Sequence, residues 1–160
     1  MSLLTRSWRI AAAALVVTLG LTVVGVAAVG AKSAGKSDSG TAWVAVTHTV
    51  GSTLYLAGDA TDKLLGNDAL TYTVKAGTAA QPGTVKTSGT VTVFTTTGSL
   101  SGPFQGSAVT TSSGSVTETG KVDLSHGTGG QKGHSEVGTF TGTGASPTGP
   151  FVFHTKGIYK

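Results

Sequence analysis

From Thr41 onward apolar side chains recur at every second position, and no stretch holds a helical period for three turns. A spacing of two sends alternate side chains to opposite faces of a pleated strand, so the pattern restricts this part of the chain to sheets with one apolar face. Leu70, Tyr72, Val74 and Ala76 share a face, with Thr71, Thr73 and Lys75 on the other. Val85, Val91 and Val93 stand opposite Thr84, Lys86, Ser88, Thr90 and Thr92. Val116, Val122 and Leu124 oppose Thr117, Thr119, Lys121 and Asp123, and Phe151, Phe153 and Tyr159 oppose His154, Lys156 and Lys160. With further segments near 42–50, 52–58, 99–111 and 134–143, the pattern predicts about eight strands joined by short Gly- or Ser-bearing turns. Sequential antiparallel strands with a single inner face close into a barrel, which leaves no exposed edge, or stack as a sandwich. The expected class is therefore all-β, a single antiparallel β-barrel, with the β-sandwich as the alternative.

The N-terminal segment is of another kind. Arg6 and Arg9 precede an uncharged run from Ile10 to Ala31, rich in Ala, Leu, Val and Gly. Val29-Gly30-Ala31 places small residues where a signal peptidase requires them. As a helix this run is about 33 Å long, enough to span a membrane, so an uncleaved anchor over residues 10–31 is the alternative. Gly20, Gly25 and Gly30 weaken such a helix and favour cleavage. Both readings send the rest of the chain outside the cytoplasm. The expected organisation is a signal peptide or anchor over 1–31, a flexible Lys-Ser-Gly-Ala linker over 32–40, and a β-barrel domain over 41–160, exported to the cell envelope or beyond.

Composition narrows the function. Of eleven basic residues two are Arg6 and Arg9, which leaves nine scattered lysines against seven acidic residues. Without arginine or a basic stripe beyond residue 31, nucleic acid is not an expected partner. There are no cysteines, so an exported domain of this size relies on burial alone.

Few motifs carry chemistry. Gly30-Ala31-Lys32-Ser33-Ala34-Gly35-Lys36-Ser37 satisfies the phosphate-loop pattern, but the run before it is the export segment and no helix is predicted after it. Gly133-His134-Ser135-Glu136-Val137 lacks the last glycine of a nucleophile elbow. His126 and His134 flank a Gly-rich turn at a spacing that matches no zinc signature. No cofactor is expected. Asp59, Asp62 and Asp68 lie with Asn67 in the longest predicted loop and are weak candidates for calcium, a cation that prefers oxygen ligands. His48 has the parity of Val44, Val46 and Val50, and Glu118 has the parity of Val116, Val122 and Leu124. Both point inward on that reading and are the candidate acid–base pair. A bulge at Gly120 would turn Glu118 outward instead.

The C-terminal motifs add a resemblance. Gly127-Thr128-Gly129-Gly130-Gln131-Lys132-Gly133, then Gly138-Thr139-Phe140-Thr141-Gly142-Thr143-Gly144, then Phe151-Val152-Phe153 and Gly157-Ile158-Tyr159 resemble bacterial relatives of the allene oxide cyclase and dirigent barrels. The resemblance implies an eight-stranded antiparallel barrel whose interior holds an apolar small molecule. The family includes cyclases, stereo-directing proteins and secreted members without known activity. The plant enzymes' cysteine has no counterpart here, and no arginine follows Arg9, so their chemistry is not carried over.

Three functions remain. The first expectation is a non-catalytic binder of a small apolar ligand or envelope component, with Tyr72, Phe104, Phe140 and Phe153 lining the site. The second is a cyclase or isomerase acting inside the barrel through His48 and Glu118. The third is a structural envelope protein with a filled interior. An interior cavity of several hundred cubic ångströms separates the first two from the third.

Overall fold

The computed structural model describes residues 34–160, so the expected export segment lies outside the described residues. Nine strands follow one another: β1 (Lys36–Val50), β2 (Thr53–Asp62), β3 (Gly66–Gln81), β4 (Thr84–Phe94), β5 (Gly98–Thr110), β6 (Val116–Leu124), β7 (His126–Gly129), β8 (Glu136–Gly144) and β9 (Phe151–Tyr159). All pairings are antiparallel. Sequential hairpins run from β1 to β6, β6 pairs with β8, β8 with β9, and β9 returns to β1. Eight strands thus close a barrel, and no long edge is left to recruit a foreign strand.

The ninth strand, β7, continues the line of β6. It pairs with the first residues of β5, Gly98 to Ser101, where β6 has ended. At the break β6 presses on β5 so closely that a Cβ on Gly102 would fall 1.8 Å from the Asp123 carbonyl oxygen. Turn chemistry follows the sequence elsewhere. Pro82 fixes one φ of the β3–β4 turn, and Gly83 supplies its left-handed φ of 77°.

The predicted faces hold along most of each strand; Ala76, expected on the inner face of β3, is exposed where the β3–β4 register shifts. Leu70, Val74, Val91, Val116, Leu124, Phe151 and Phe153 are all buried inside the barrel, and Leu100 is wholly shielded from solvent. Two features of β1 also depart from expectation. Lys36–Gly40, expected as linker, is the first part of β1 and pairs with β9 from Lys36–Tyr159 onward. Its polar composition reads as linker, but backbone hydrogen bonding to the closing strand is indifferent to composition. The second departure is the end of β1, where a bulge between Val46 and His48 shifts the register.

Candidate functional site

The inside of the barrel has two unlike ends. One end carries the β2–β3 and β4–β5 turns and both ends of the described chain; the other carries the β1–β2, β3–β4, β5–β6 and β8–β9 turns. Four carboxylates meet at the first. Asp38 faces inward because it has the parity of Ala42 and Val44 on β1, and Asp68 because it has that of Leu70 and Val74 on β3. Glu136 opens β8 on the face that continues through Phe140, and Asp62 closes β2. Asp38, Asp68 and Glu136 are 2%, 5% and 5% exposed. One carboxylate oxygen from each of Asp38, Asp62 and Glu136 lies within 4.8 Å of the others.

Local sequence makes the room. A Cβ on Gly40 would sit 2.9 Å from an Asp62 oxygen, and one on Gly157 would sit 2.9 Å from Glu136 Oε1. The register places Gly157 opposite Asp38 and Gly40 opposite Asp62, so each glycine leaves space that a carboxylate uses. Asp62 also holds the β2–β3 turn, its Oδ1 accepting from the backbone N–H groups of Leu64 (3.0 Å) and Leu65 (3.1 Å). Asp38 Oδ1 accepts from the Ser39 N–H at 2.8 Å. Among the described residues, Asp38 Oδ2 and both Asp68 oxygens have no hydrogen-bond partner.

Such crowding opposes ionisation. Burial, then the neighbouring Asp62, pushes Asp38 up to about 6. Burial pushes Glu136 up to about 7, helped by the charges of Asp62, Asp38 and Asp68. Asp68 is raised by burial and then by Asp62. Beside the cluster the Tyr159 hydroxyl donates to Gln131 Oε1 at 2.8 Å, and the His134 ring stacks on Tyr159.

The other end is apolar apart from one acid. Glu118 is buried, and the Thr87 hydroxyl donates to its Oε1. Burial raises its pKa and the Thr87 hydrogen bond lowers it, burial being the larger effect. The alternative of a bulge at Gly120 does not arise: β6 pairs in continuous register with β5 and β8, and Glu118 stays inside.

Between the ends lies an aromatic waist. Tyr72, Phe104, Phe140 and Phe153 come together as the sequence suggests, but they pack on one another. Ring centroids are 6.1 Å apart for Tyr72–Phe104, 5.6 Å for Tyr72–Phe153, 5.9 Å for Phe104–Phe140 and 5.8 Å for Phe140–Phe153. Tyr72, Phe104 and Phe140 line both a cavity of about 60 Å³ on the acidic side and one of about 40 Å³ on the apolar side. Burial and the charges of Glu118 and Glu136 raise the pKa of the Tyr72 hydroxyl.

The candidate acid–base pair does not assemble. The bulge in β1 breaks the alternation, and His48 is exposed, stacked on Tyr55 with ring centroids 4.2 Å apart. It faces outward while Glu118 faces inward. The calcium candidates also divide: Asp59 is exposed on β2, whereas Asp62 and Asp68 join Asp38 and Glu136. These acids are not in a long loop, because β2 runs to Asp62 and β3 starts at Gly66. Asp38 and Glu136 were not anticipated. The parity of Asp38 with Ala42 and Val44 was the available signal, masked by a linker-like composition, and Glu136 sits beside a Gly-rich turn that hides the start of its strand. Comparison with protein-family models, with curated proteins and with solved structures finds no match.

Proposed function

We propose that this chain is an exported, non-catalytic β-barrel that serves as a rigid module of the cell envelope or its surroundings, its interior being a core and not a binding chamber. The observation that carries this reading is the size of the internal spaces. Cavities of about 60 and 40 Å³ are far below the roughly 300–1,000 Å³ of sites that take organic ligands. Uniting them requires displacing Tyr72, Phe104 or Phe140 from mutual contact, at the cost of that packing.

The cyclase reading loses its support with His48 on the outer surface and Glu118 engaged by Thr87. The family resemblance agrees with the strand count of the barrel, but barrels of this size host many unrelated roles, so no activity is taken from it. Export rests on Arg6, Arg9 and the apolar run to Ala31. Native mass spectrometry of protein recovered from its own host tests both parts. The expected species is the polypeptide beginning at Lys32 with no organic molecule bound. A co-purifying apolar molecule would overturn the filled-core reading, and absence of the chain from envelope and medium would overturn export.

A further inference from the structure

The acidic end of the barrel poses a problem that the fold does not solve. Asp38 and Asp68 are more than nine-tenths buried, yet no donor group among the described residues answers Asp38 Oδ2 or either Asp68 oxygen, Asp38 meeting only the carboxylate of Asp62. Buried carboxylates are normally hydrogen-bonded, paired with a cation or bound to a metal, since an unanswered one costs several kcal/mol. The charges that act on Glu136 are those of three further carboxylates, Asp62, Asp38 and Asp68. Asp62, Asp68 and Glu136 also border the cavity of about 60 Å³, with the Thr155 side of β9 completing its wall.

We propose that Asp38, Asp62 and Glu136 bind one divalent cation of the size of calcium at this mouth of the barrel, with the Asp68 carboxylate beside them adding negative charge. The donor set is all oxygen, which selects a hard cation over zinc or copper. The oxygens of Asp38, Asp62 and Glu136 lie within 4.8 Å of one another, close enough for one cation to touch all three. Carboxylates from separate strands do not impose the near-ideal octahedron that magnesium demands, whereas calcium accepts irregular coordination. A calcium ion takes roughly six to eight oxygens, which three carboxylates, binding through one or both oxygens, and a few waters in the adjoining cavity supply.

The consequence is mechanical. The three ligands come from β1, β2 and β8, so a single ion ties the strand that follows the N-terminal segment to two others across the mouth. The binding regime is that of extracellular calcium modules, with dissociation constants of about 0.1–1 mM.

The test uses the full-length chain, stripped with a chelator and held near neutral pH at constant ionic strength. Calcium at a tenfold excess over its dissociation constant is expected to raise the melting temperature by about 5 °C, and magnesium at equal concentration by far less. Terbium serves as a spectroscopic probe, its luminescence excited through Tyr72 and Tyr159 and quenched by competing calcium. D68N and E136Q, which keep shape and remove charge, are expected to weaken calcium binding at least tenfold. Without metal both should melt no lower than the parent, because a like charge has gone. Asp62 is left intact, since it also holds the β2–β3 turn. No shift with calcium, an equal shift with magnesium, or a calcium response that survives in the D68N/E136Q double variant would overturn the proposal. So would D68N and E136Q both melting well below the parent without metal, which marks the carboxylates as structural hydrogen-bonding partners.

Discussion

The two ends of this barrel bury the same kind of group in opposite ways. At the apolar end one carboxylate, Glu118, meets a hydroxyl from Thr87, and the space around it is filled by Phe151, Phe153 and Val74. At the other end four carboxylates share a mouth, and three of their oxygens have no partner among the described residues. The first arrangement is self-sufficient: one polar group, one donor, and a closed hydrophobic surround. The second is stable only if something outside the chain answers it, either protons or a cation. A barrel thus carries one end as core and holds the other ready for a change in its surroundings.

The largest effect expected is at the waist that separates the two ends. Phe104→Ala should cost about 3–5 kcal/mol, as for other buried aromatic truncations, and the loss is measured by denaturant unfolding. Phe104 borders both cavities, so the variant also merges them. An apolar dye that binds the variant and not the parent would sharpen the contrast between core and chamber; a loss under about 1 kcal/mol would mean that the waist is not a packed core.

Next in size is the pH response of the acidic end. Asp38 and Glu136 titrate at about 6 and 7 in the folded protein, against 3.8 and 4.5 for unperturbed side chains. The folded state therefore holds protons that the unfolded chain has released. Stability must fall as pH rises through this window, the reverse of the behaviour of a salt-bridged carboxylate. Metal-free protein should lose on the order of 2–4 kcal/mol between pH 5 and pH 8, since each tenfold gain in proton affinity on folding is worth about 1.4 kcal/mol and the neighbouring acids share the loss. Chemical denaturation across that range in a chelator measures it. A stability that rises with pH would erase the difference between the ends.

The smallest effect belongs to the apolar end. Thr87→Val keeps the volume and removes the donor, leaving Glu118 buried alone. The expected cost is about 1–3 kcal/mol, read by thermal unfolding at neutral pH. A neutral outcome would show that Glu118 is no better satisfied than the acids at the mouth.

Much of the barrel was legible because strand periodicity is a local property. Val116, Val122 and Leu124 had to share a face once β6 was extended, and the same holds for Phe151 and Phe153 on β9. Local pattern fails where the register changes. The bulge beside Thr47 turns His48 outward, and nothing in the run of valines around it signals the extra residue. Pattern also fails where composition misleads: Lys36–Gly40 has the residues of a linker and becomes the seam that closes the barrel on β9.

The amino-acid order alone determined that the chain forms antiparallel strands with one apolar face; that Glu118 lies on it was decided by the unbroken register of β6 past Gly120. Alternation along a strand follows from backbone geometry and needs no distant partner. Only the tertiary structure decided that Asp38, Asp62, Asp68 and Glu136 converge. They lie on four different strands, and their meeting depends on closure and register, which are set by the whole barrel at once. Whether the aromatic residues enclose a chamber or fill it was decided at the same level, because cavity volume is what remains after every side chain from every strand has been packed.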